Sequence, residues 1–268
     1  MTLGFIGTGT ITEAVVRGLC HQSLPKCTIT VSPRGAENAK RLAQTFDNVR
    51  IAANNQDVVD SCDIVFLALR PQVAEPEIRA LHFKTNQRVV SFVSTLSREL
   101  LQSWVSVPIQ ITQAVPLPFV GVRLGTTVIY PPNPDVAALF NQLGTSVEVS
   151  DPAELELLQT ASALMGTYFG LLEKASEWLQ SKGLQSEDAN AYLRQLYAGL
   201  ANALATSDEH FSALRKEFST KGGLNEQLFD VFSSQGGLTA LHSGLDAVLD
   251  RIKKNRPAAI IETPGNLG

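Results

Sequence analysis

The stretch TLGFIGTGTITEAVVRGL at residues 2–19 decides the fold of the first half of the chain. It opens with a short apolar run typical of a buried strand, and a helix-like stretch follows the glycines. Gly7, Gly9 and Thr12 occupy the three marked positions of a GxGxxG/A loop between the two. In such a loop the first glycine allows a tight turn, and the second lets a pyrophosphate approach the helix N-terminus. The motif therefore predicts a dinucleotide site rather than an incidental glycine turn.

Further apolar runs rich in β-branched residues recur up to residue 150, with helix-like stretches between most of them. They cover residues 28–32, 64–69, 88–93, 108–112, 126–130 and 146–150. Helix starts are predicted at Ser97 and Asn133. Near-continuous apolar strands that alternate with helices indicate a largely parallel sheet covered on both faces, which is a doubly wound α/β fold.

After Asp151 the strand signal disappears, and the chain becomes a series of helices broken at glycines. We therefore predict an α/β fold class, with an N-terminal doubly wound Rossmann domain and a C-terminal all-α domain. The predicted parts are the Rossmann domain at 1–151, the helical domain at 152–255 and an extended tail at 256–268.

Composition narrows the class of protein. The chain has 268 residues, of which 44% are apolar and 18% charged, as in a soluble globular protein of about two domains. Its net charge of −4 disfavours nucleic acid as a partner. The 3 cysteines show no metal-ligand spacing, so we expect reduced thiols in a cytoplasmic protein and no metal site. No apolar stretch reaches the roughly 18 to 20 residues of a membrane-spanning helix, so no membrane partner is expected.

The segment TVSPRGAENAKRL at residues 30–42 indicates which nicotinamide cofactor binds. An NAD site usually carries an acidic residue at the end of its second strand, where it binds the ribose 2′-hydroxyl. This chain has Ser32 and Arg34 there, and a hydroxyl and a guanidinium suit a 2′-phosphate. NADPH is therefore predicted in preference to NADH. The alternative is that Arg34 is only a solvated surface charge.

Two later segments, LALRPQV at 67–73 and the residues around Ser94, also follow predicted strands. Open α/β sheets bind ligands at the carboxyl ends of their strands, which favours a place beside the cofactor. The alternative is an ordinary turn at Pro71. The predicted cofactor-binding residues are Gly7, Thr8, Gly9, Thr10, Ile11, Ser32, Arg34, Leu69, Arg70, Pro71 and Ser94.

In the helical half, STKGGLNEQ at residues 219–227 suggests an anion site. Its two glycines would free backbone amides at the start of a helix, and Lys221 adds a positive charge, so a carboxylate would fit. The alternative is a turn between helices whose glycines provide positive φ angles. The predicted substrate-binding residues are Thr220, Lys221, Gly222, Gly223, Leu224 and Asn225.

The long helix predicted over residues 152–181 carries a stripe of small residues that leads to one lysine. The stripe consists of Ala163, Gly166 or Thr167, Gly170 and Lys174. β-Hydroxyacid dehydrogenases use a helical lysine as a proton donor, and Lys174 is the candidate catalytic residue for such a reaction on a ketone or hydroxy acid. The alternative, which we favour, is that the small residues allow close helix packing and that Lys174 is solvated.

The order of four segments resembles the pyrroline-5-carboxylate reductase family. They are GFIGTGTITEAVVRGL at 4–19, LALRPQV at 67–73, QAVPLPFVGVRLGTTVIY at 113–130 and STKGGLNEQ at 219–227. The resemblance implies NADPH-dependent hydride transfer to the imine carbon of a five-membered ring. It also implies a helical domain that forms a homodimer, with a higher oligomer of dimers left open. Asn225 stands where the family has the second threonine after the glycine pair, which makes it a candidate catalytic residue.

The departures from the family pattern fall in the segments expected to contact substrate. Leu117 replaces an asparagine, SALMGTY at 162–168 replaces SGSGPAY, and Leu224 replaces a threonine. The expected function is the reduction of a small cyclic imine carboxylate, either pyrroline-5-carboxylate to proline or a close relative. The alternatives are a hydroxyacid-dehydrogenase-like oxidoreductase that uses Lys174 and a non-catalytic dinucleotide-binding protein.

Overall fold

The computed structural model describes residues 1–21 and 27–255 and divides the chain into two compact units. The first contains Met1–Gln159 together with the described residues from Arg251 onward, and the second is Thr160–Asp250. The predicted domain boundary at 151/152 stays a prediction. The tail predicted at 256–268 lies outside the described residues.

Within the described residues, one eight-stranded sheet organises the first unit, in the order β3-β2-β1-β4-β5-β6-β7-β8. All neighbouring strands are parallel except β6 and β7, which are antiparallel and are joined through a 3₁₀ helix at Pro118–Val122. The predicted α/β doubly wound class is confirmed. The strands are β1 Thr2–Ile6, β2 Thr28–Val31, β3 Val49–Ile51, β4 Ile64–Leu67, β5 Arg88–Ser91, β6 Gln110–Pro116, β7 Gly125–Tyr130 and β8 Gly144–Glu148.

Helices connect most of these strands, and two of them begin where the sequence predicts. The Ser97 hydroxyl accepts a hydrogen bond from the backbone N–H of Leu100, and the Asn133 side chain accepts one from Val136, each at 3.2 Å. Both are N-caps, which satisfy otherwise unpaired amides of the first helical turn. The helices are α1 Thr10–Leu19, α2 Ala36–Thr45, α3 Asn55–Ser61, α4 Pro71–Arg79, α5 Arg98–Ser103, α6 Pro134–Asn141 and α7 Pro152–Ser162.

The alternation of side chains along β1 explains why both faces of the sheet are covered. Leu3 and Phe5 belong to one apolar cluster, and Ile6 belongs to the cluster on the opposite face. Phe5 stacks on Phe66 of β4 with ring centroids 4.5 Å apart. Strands buried on both faces fix their register strongly, and this holds the loops at the carboxyl edge in place.

The second unit is helical, as predicted. The long helix expected over residues 152–181 is interrupted at Ala163, where i→i−3 hydrogen bonds replace the α-helical pattern: Ala163 N–H donates to Thr160 at 3.0 Å, and Gly166 N–H donates to Ala163 at 3.2 Å. None of the helices in the described residues is long and apolar enough to cross a membrane. The remaining helices are α8 Leu164–Ser181, α9 Ser186–Ala205, α10 Phe211–Glu217, α11 Leu224–Ser234 and α12 Gly237–Asn255.

Candidate active site

The glycine loop between β1 and α1 uses its two glycines for different purposes. Gly7 has φ +98°, and a Cβ there would lie 2.3 Å from the carbonyl oxygen of Ala68. Only glycine can therefore make this turn against the chain that leaves β4. Gly9, in contrast, has an extended backbone, and a Cβ there would meet nothing within 4 Å. The space in front of Gly9 is open toward the N-terminus of α1.

Buried hydroxyl groups hold this loop in position. The Gly7 N–H donates to the Ser32 Oγ at 2.9 Å, and the Thr8 hydroxyl donates to the Ser32 carbonyl at 2.8 Å. The Thr12 hydroxyl donates to the carbonyl of Gly7 at 2.7 Å, so the threonine at the third motif position closes the turn while remaining fully buried. These bonds satisfy polar groups that burial would otherwise leave unpaired.

Ser32 occupies a different environment from the one predicted for it. Its side chain is fully buried, and its hydroxyl accepts the Gly7 amide instead of facing the surface. The structure thus gives Ser32 a supporting role beneath the loop. Its contact with a 2′-phosphate remains a prediction.

A cleft of about 330 Å³ opens at the carboxyl ends of β1, β2 and β4. β1 lies between β2 and β4, so the cleft lies at the point where strand order reverses, which is where doubly wound sheets bind ligands. Two arginines and the N-terminus of α1 give it a positive character suited to phosphates. Its lining is Gly7, Thr8, Gly9, Arg34, Gly35, Ala68, Leu69, Arg70 and Val73.

Most of the predicted cofactor-binding residues are thus at the cleft or beside it. Thr10 and Ile11 form the first turn of α1 directly after Gly9, and Pro71 is the first residue of α4 after Arg70. Ser94 follows β5 and does not line the cleft. The open approach at Gly9 and the two arginines fit a dinucleotide pyrophosphate, and the binding roles of these residues remain predictions.

Arg34 has a partner that the sequence analysis did not identify. Its guanidinium forms an ion pair with Glu77 of α4, and the second carboxylate oxygen of Glu77 accepts a hydrogen bond from the Asn55 side chain at 2.9 Å. The Arg34 side chain is nevertheless 52% exposed, so it remains accessible from the cleft. Glu77 lies 43 residues after Arg34, and no local pattern signals the pairing.

The turn at residues 220–225 in the second unit is less open than predicted. The Gly223 N–H donates to the carbonyl of Thr220 at 2.8 Å, and the Gly222 N–H donates to the Glu226 carboxylate at 2.6 Å. Both glycine amides are therefore bonded within the segment, and the expectation that the glycines free these amides for a ligand is wrong. Gly222 does have a positive φ of +72°, as a glycine turn requires.

Three other predicted substrate residues lie at the surface of this turn. Lys221 and Leu224 are exposed. Asn225 lines a groove between α9, α10 and the start of α11, and its side-chain amide donates to the carbonyl of Phe218 at 2.6 Å. Asn225 thus helps to close the turn, and a catalytic role for it remains a prediction.

Lys174 lies in an exposed ion pair, which is an unfavourable environment for a proton donor. Its ammonium contacts both oxygens of the Glu177 carboxylate, at 2.7 and 2.9 Å, and its side chain is 70% exposed. The hydrogen bond and charge of Glu177 raise the pKa of Lys174. A general acid works best with a pKa near the working pH, so the structure gives no support to the predicted catalytic role.

The fold and cleft define the class of protein, and the comparisons indicate its relatives. A glycine loop at the switch point of a doubly wound sheet, followed by an all-helical unit, is the arrangement of an NAD(P)-binding oxidoreductase. Residues 2–97 match the family described as NADP oxidoreductase, coenzyme F420-dependent, and residues 156–255 match that described as pyrroline-5-carboxylate reductase dimerisation. The match of the second half to this dimerisation family, together with the relatives described next, confirms the resemblance to pyrroline-5-carboxylate reductases.

Individual relatives are similar over nearly their whole length. The pyrroline-5-carboxylate reductase of Pseudomonas aeruginosa is 25% identical over 260 residues, which cover 93% of this chain and 94% of that protein. A second such reductase, from Bacillus subtilis, is 25% identical and covers 84% of each chain. The structure of the Coxiella burnetii reductase superposes with a TM-score of 0.83 at 21% identity, covering 95% of this chain and 98% of that one. The Plasmodium falciparum enzyme, solved with NADP bound, gives 0.79 at 18% identity over the same shares.

Proposed function

We propose that this protein reduces a small cyclic imine carboxylate with NADPH, converting pyrroline-5-carboxylate to proline or acting on a close relative. The observation that carries the proposal is the phosphate-suited cleft at the carboxyl ends of β1 and β4, in a chain whose second half matches the dimerisation family. The relatives named above carry the same activity in their names.

The chemistry places few demands on the protein beyond orientation. A bound nicotinamide cofactor would supply the hydride, which adds to the imine carbon while the π electrons of the C=N bond move to nitrogen. A protonated imine is already electrophilic, so the residues of the cleft need only hold the two reactants in the correct geometry. This accounts for a reductase in which Lys174 is paired with Glu177 at the surface.

NADPH is the cofactor that we propose, and Arg34 is the residue that supports it. Its half-exposed guanidinium lies at the cleft, where it can donate charge-assisted hydrogen bonds to a 2′-phosphate. The strand that precedes it ends without an acidic residue that could bind a ribose hydroxyl. The buried Ser32 contributes by holding the glycine loop.

We also propose a homodimer in which the turn at 220–225 of one subunit completes the site of the other. The helices of the second unit expose several large apolar side chains, among them Phe169, Trp178 and Leu228. Large apolar side chains exposed in this number are typical of an interaction surface, and a second copy of the chain would cover them. The match to a dimerisation family supports the same assembly.

The cytoplasm is the compartment that we propose for this enzyme. Cys20, Cys27 and Cys62 are all free thiols in the structure. Thiols persist in reducing compartments, where disulfides are rare.

The test is turnover of pyrroline-5-carboxylate by the purified protein, followed by NADPH absorbance. We expect imine reduction, little activity on hydroxy acids or ketones, and unchanged activity in Lys174→Ala. Ketone reduction that is lost in Lys174→Ala, without imine turnover, would instead favour the hydroxyacid-dehydrogenase alternative. Cofactor binding without turnover of any imine would favour a non-catalytic dinucleotide-binding protein.

A further inference from the structure

The carboxylate of Glu77 is fixed at the edge of the dinucleotide cleft by contacts from two other elements. One oxygen pairs with the guanidinium of Arg34, which follows β2, and the other accepts from Asn55 at the start of α3. The side chain is 30% exposed, so it is largely enclosed. A carboxylate bonded from both sides has little freedom to turn away from Arg34.

Glu77 also lies beside the lining of the cleft. Val73 lines it, and Glu77 is four residues further along α4, on the same face of the helix. A cofactor phosphate that reaches Arg34 must therefore approach a guanidinium that already has an anionic partner.

We propose that Glu77 determines cofactor specificity by competing with the 2′-phosphate of NADPH for Arg34. The inference deepens the proposed function, because it depends on a dinucleotide binding in this cleft. It gives Arg34 and Glu77 opposing effects on the same phosphate. Glu77 thereby makes the preference for NADPH smaller than Arg34 alone would produce.

The physical reason is the difference in charge between the two cofactors at this position. A 2′-phosphate bound by Arg34 would bring one to two negative charges close to the Glu77 carboxylate. Like charges that are close together repel each other even when solvent partly screens them. NADH carries a neutral 2′-hydroxyl, which leaves the Arg34–Glu77 pair undisturbed. Neutralising Glu77 should therefore favour NADPH and have little effect on NADH.

The experiment measures dissociation constants of NADPH and NADH by fluorescence titration in the absence of any imine. Glu77→Gln keeps an oxygen for Asn55 and removes the charge. Glu75→Gln is the matched control, since it removes the same charge from α4 where the carboxylate pairs with Arg79 instead. We expect Glu77→Gln to bind NADPH about 3- to 10-fold more tightly, with NADH changed less than about 2-fold and the control unchanged for both cofactors.

Three results would overturn the inference: unchanged or weaker NADPH binding in Glu77→Gln, equal tightening for both cofactors, or the same gain in Glu75→Gln. If Glu77→Gln does not fold, Glu77→Ala removes the same charge and should also tighten NADPH binding selectively. Wild-type protein that binds neither cofactor would refute the proposed function itself. Wild-type binding with no selective response at Glu77 would refute this inference alone.

Discussion

Gly7→Ala and Gly9→Ala should impair the protein in different ways, although the two glycines are only two residues apart. At Gly7 the added methyl group must accept a left-handed backbone with φ +98°, which costs about 1 to 3 kcal/mol. It would also lie 2.3 Å from a backbone carbonyl oxygen that packing holds in place. At Gly9 the backbone is extended, with φ −89° and ψ −171°, and the methyl group would meet open space.

From these contacts we expect Gly7→Ala to lower the free energy of unfolding by at least about 2 kcal/mol, because strain and overlap add. Gly9→Ala should change it by less than about 1 kcal/mol, since the gain in chain stiffness and the poorer N-cap oppose each other. NADPH affinity should nevertheless fall at least tenfold in Gly9→Ala, about 1.4 kcal/mol, because the methyl group occupies the approach of the pyrophosphate.

Urea unfolding followed by circular dichroism, at one protein concentration, gives the first quantity, and NADPH fluorescence titration gives the second. Wild-type NADPH affinity in Gly9→Ala would show that the methyl group does not meet the pyrophosphate. A wild-type urea midpoint for the unfolding of Gly7→Ala would show that the strain and the overlap with the Ala68 carbonyl are absent.

Substitutions at Arg34, at Ser32 and in the proposed shared site separate the phosphate contact, the support of the loop and the assembly. Arg34→Ala should weaken NADPH binding roughly tenfold or more and leave NADH nearly unchanged, and equal losses for both cofactors would contradict its assignment to the 2′-phosphate. Ser32→Ala should lower the free energy of unfolding by about 1 to 3 kcal/mol, because it leaves the buried Gly7 amide unpaired. It should also weaken the binding of NADPH and NADH equally, and a loss confined to NADPH would indicate that Ser32 contacts the 2′-phosphate directly. A variant disabled at Gly9 by a bulky side chain and another disabled at Gly223 should each be inactive, yet regain part of their activity when refolded together if the site is shared; no recovery in demonstrably mixed dimers would rule out the shared site.

The sequence was sufficient to predict the elements that are formed by residues close to one another in the chain. The strand, glycine loop and helix at residues 2–19 follow from apolar patterning and from the backbone freedom of glycine. The helix starts at Ser97 and Asn133 follow from side chains that cap their own helix. β3 was missed because it is a three-residue strand at the sheet edge, paired only with β2, and two of its residues are exposed.

Tertiary structure decided the features that depend on distant residues. Ser32 and Arg34 look equally suited to a phosphate in the sequence, but folding buries the first beneath the loop and pairs the second with Glu77. The amide of Gly222 appears free until the Glu226 carboxylate is placed beside it. Hydrogen bonds and ion pairs of this kind depend on where other side chains lie in space, so a linear pattern shows which groups are present and only the fold shows which are already bonded.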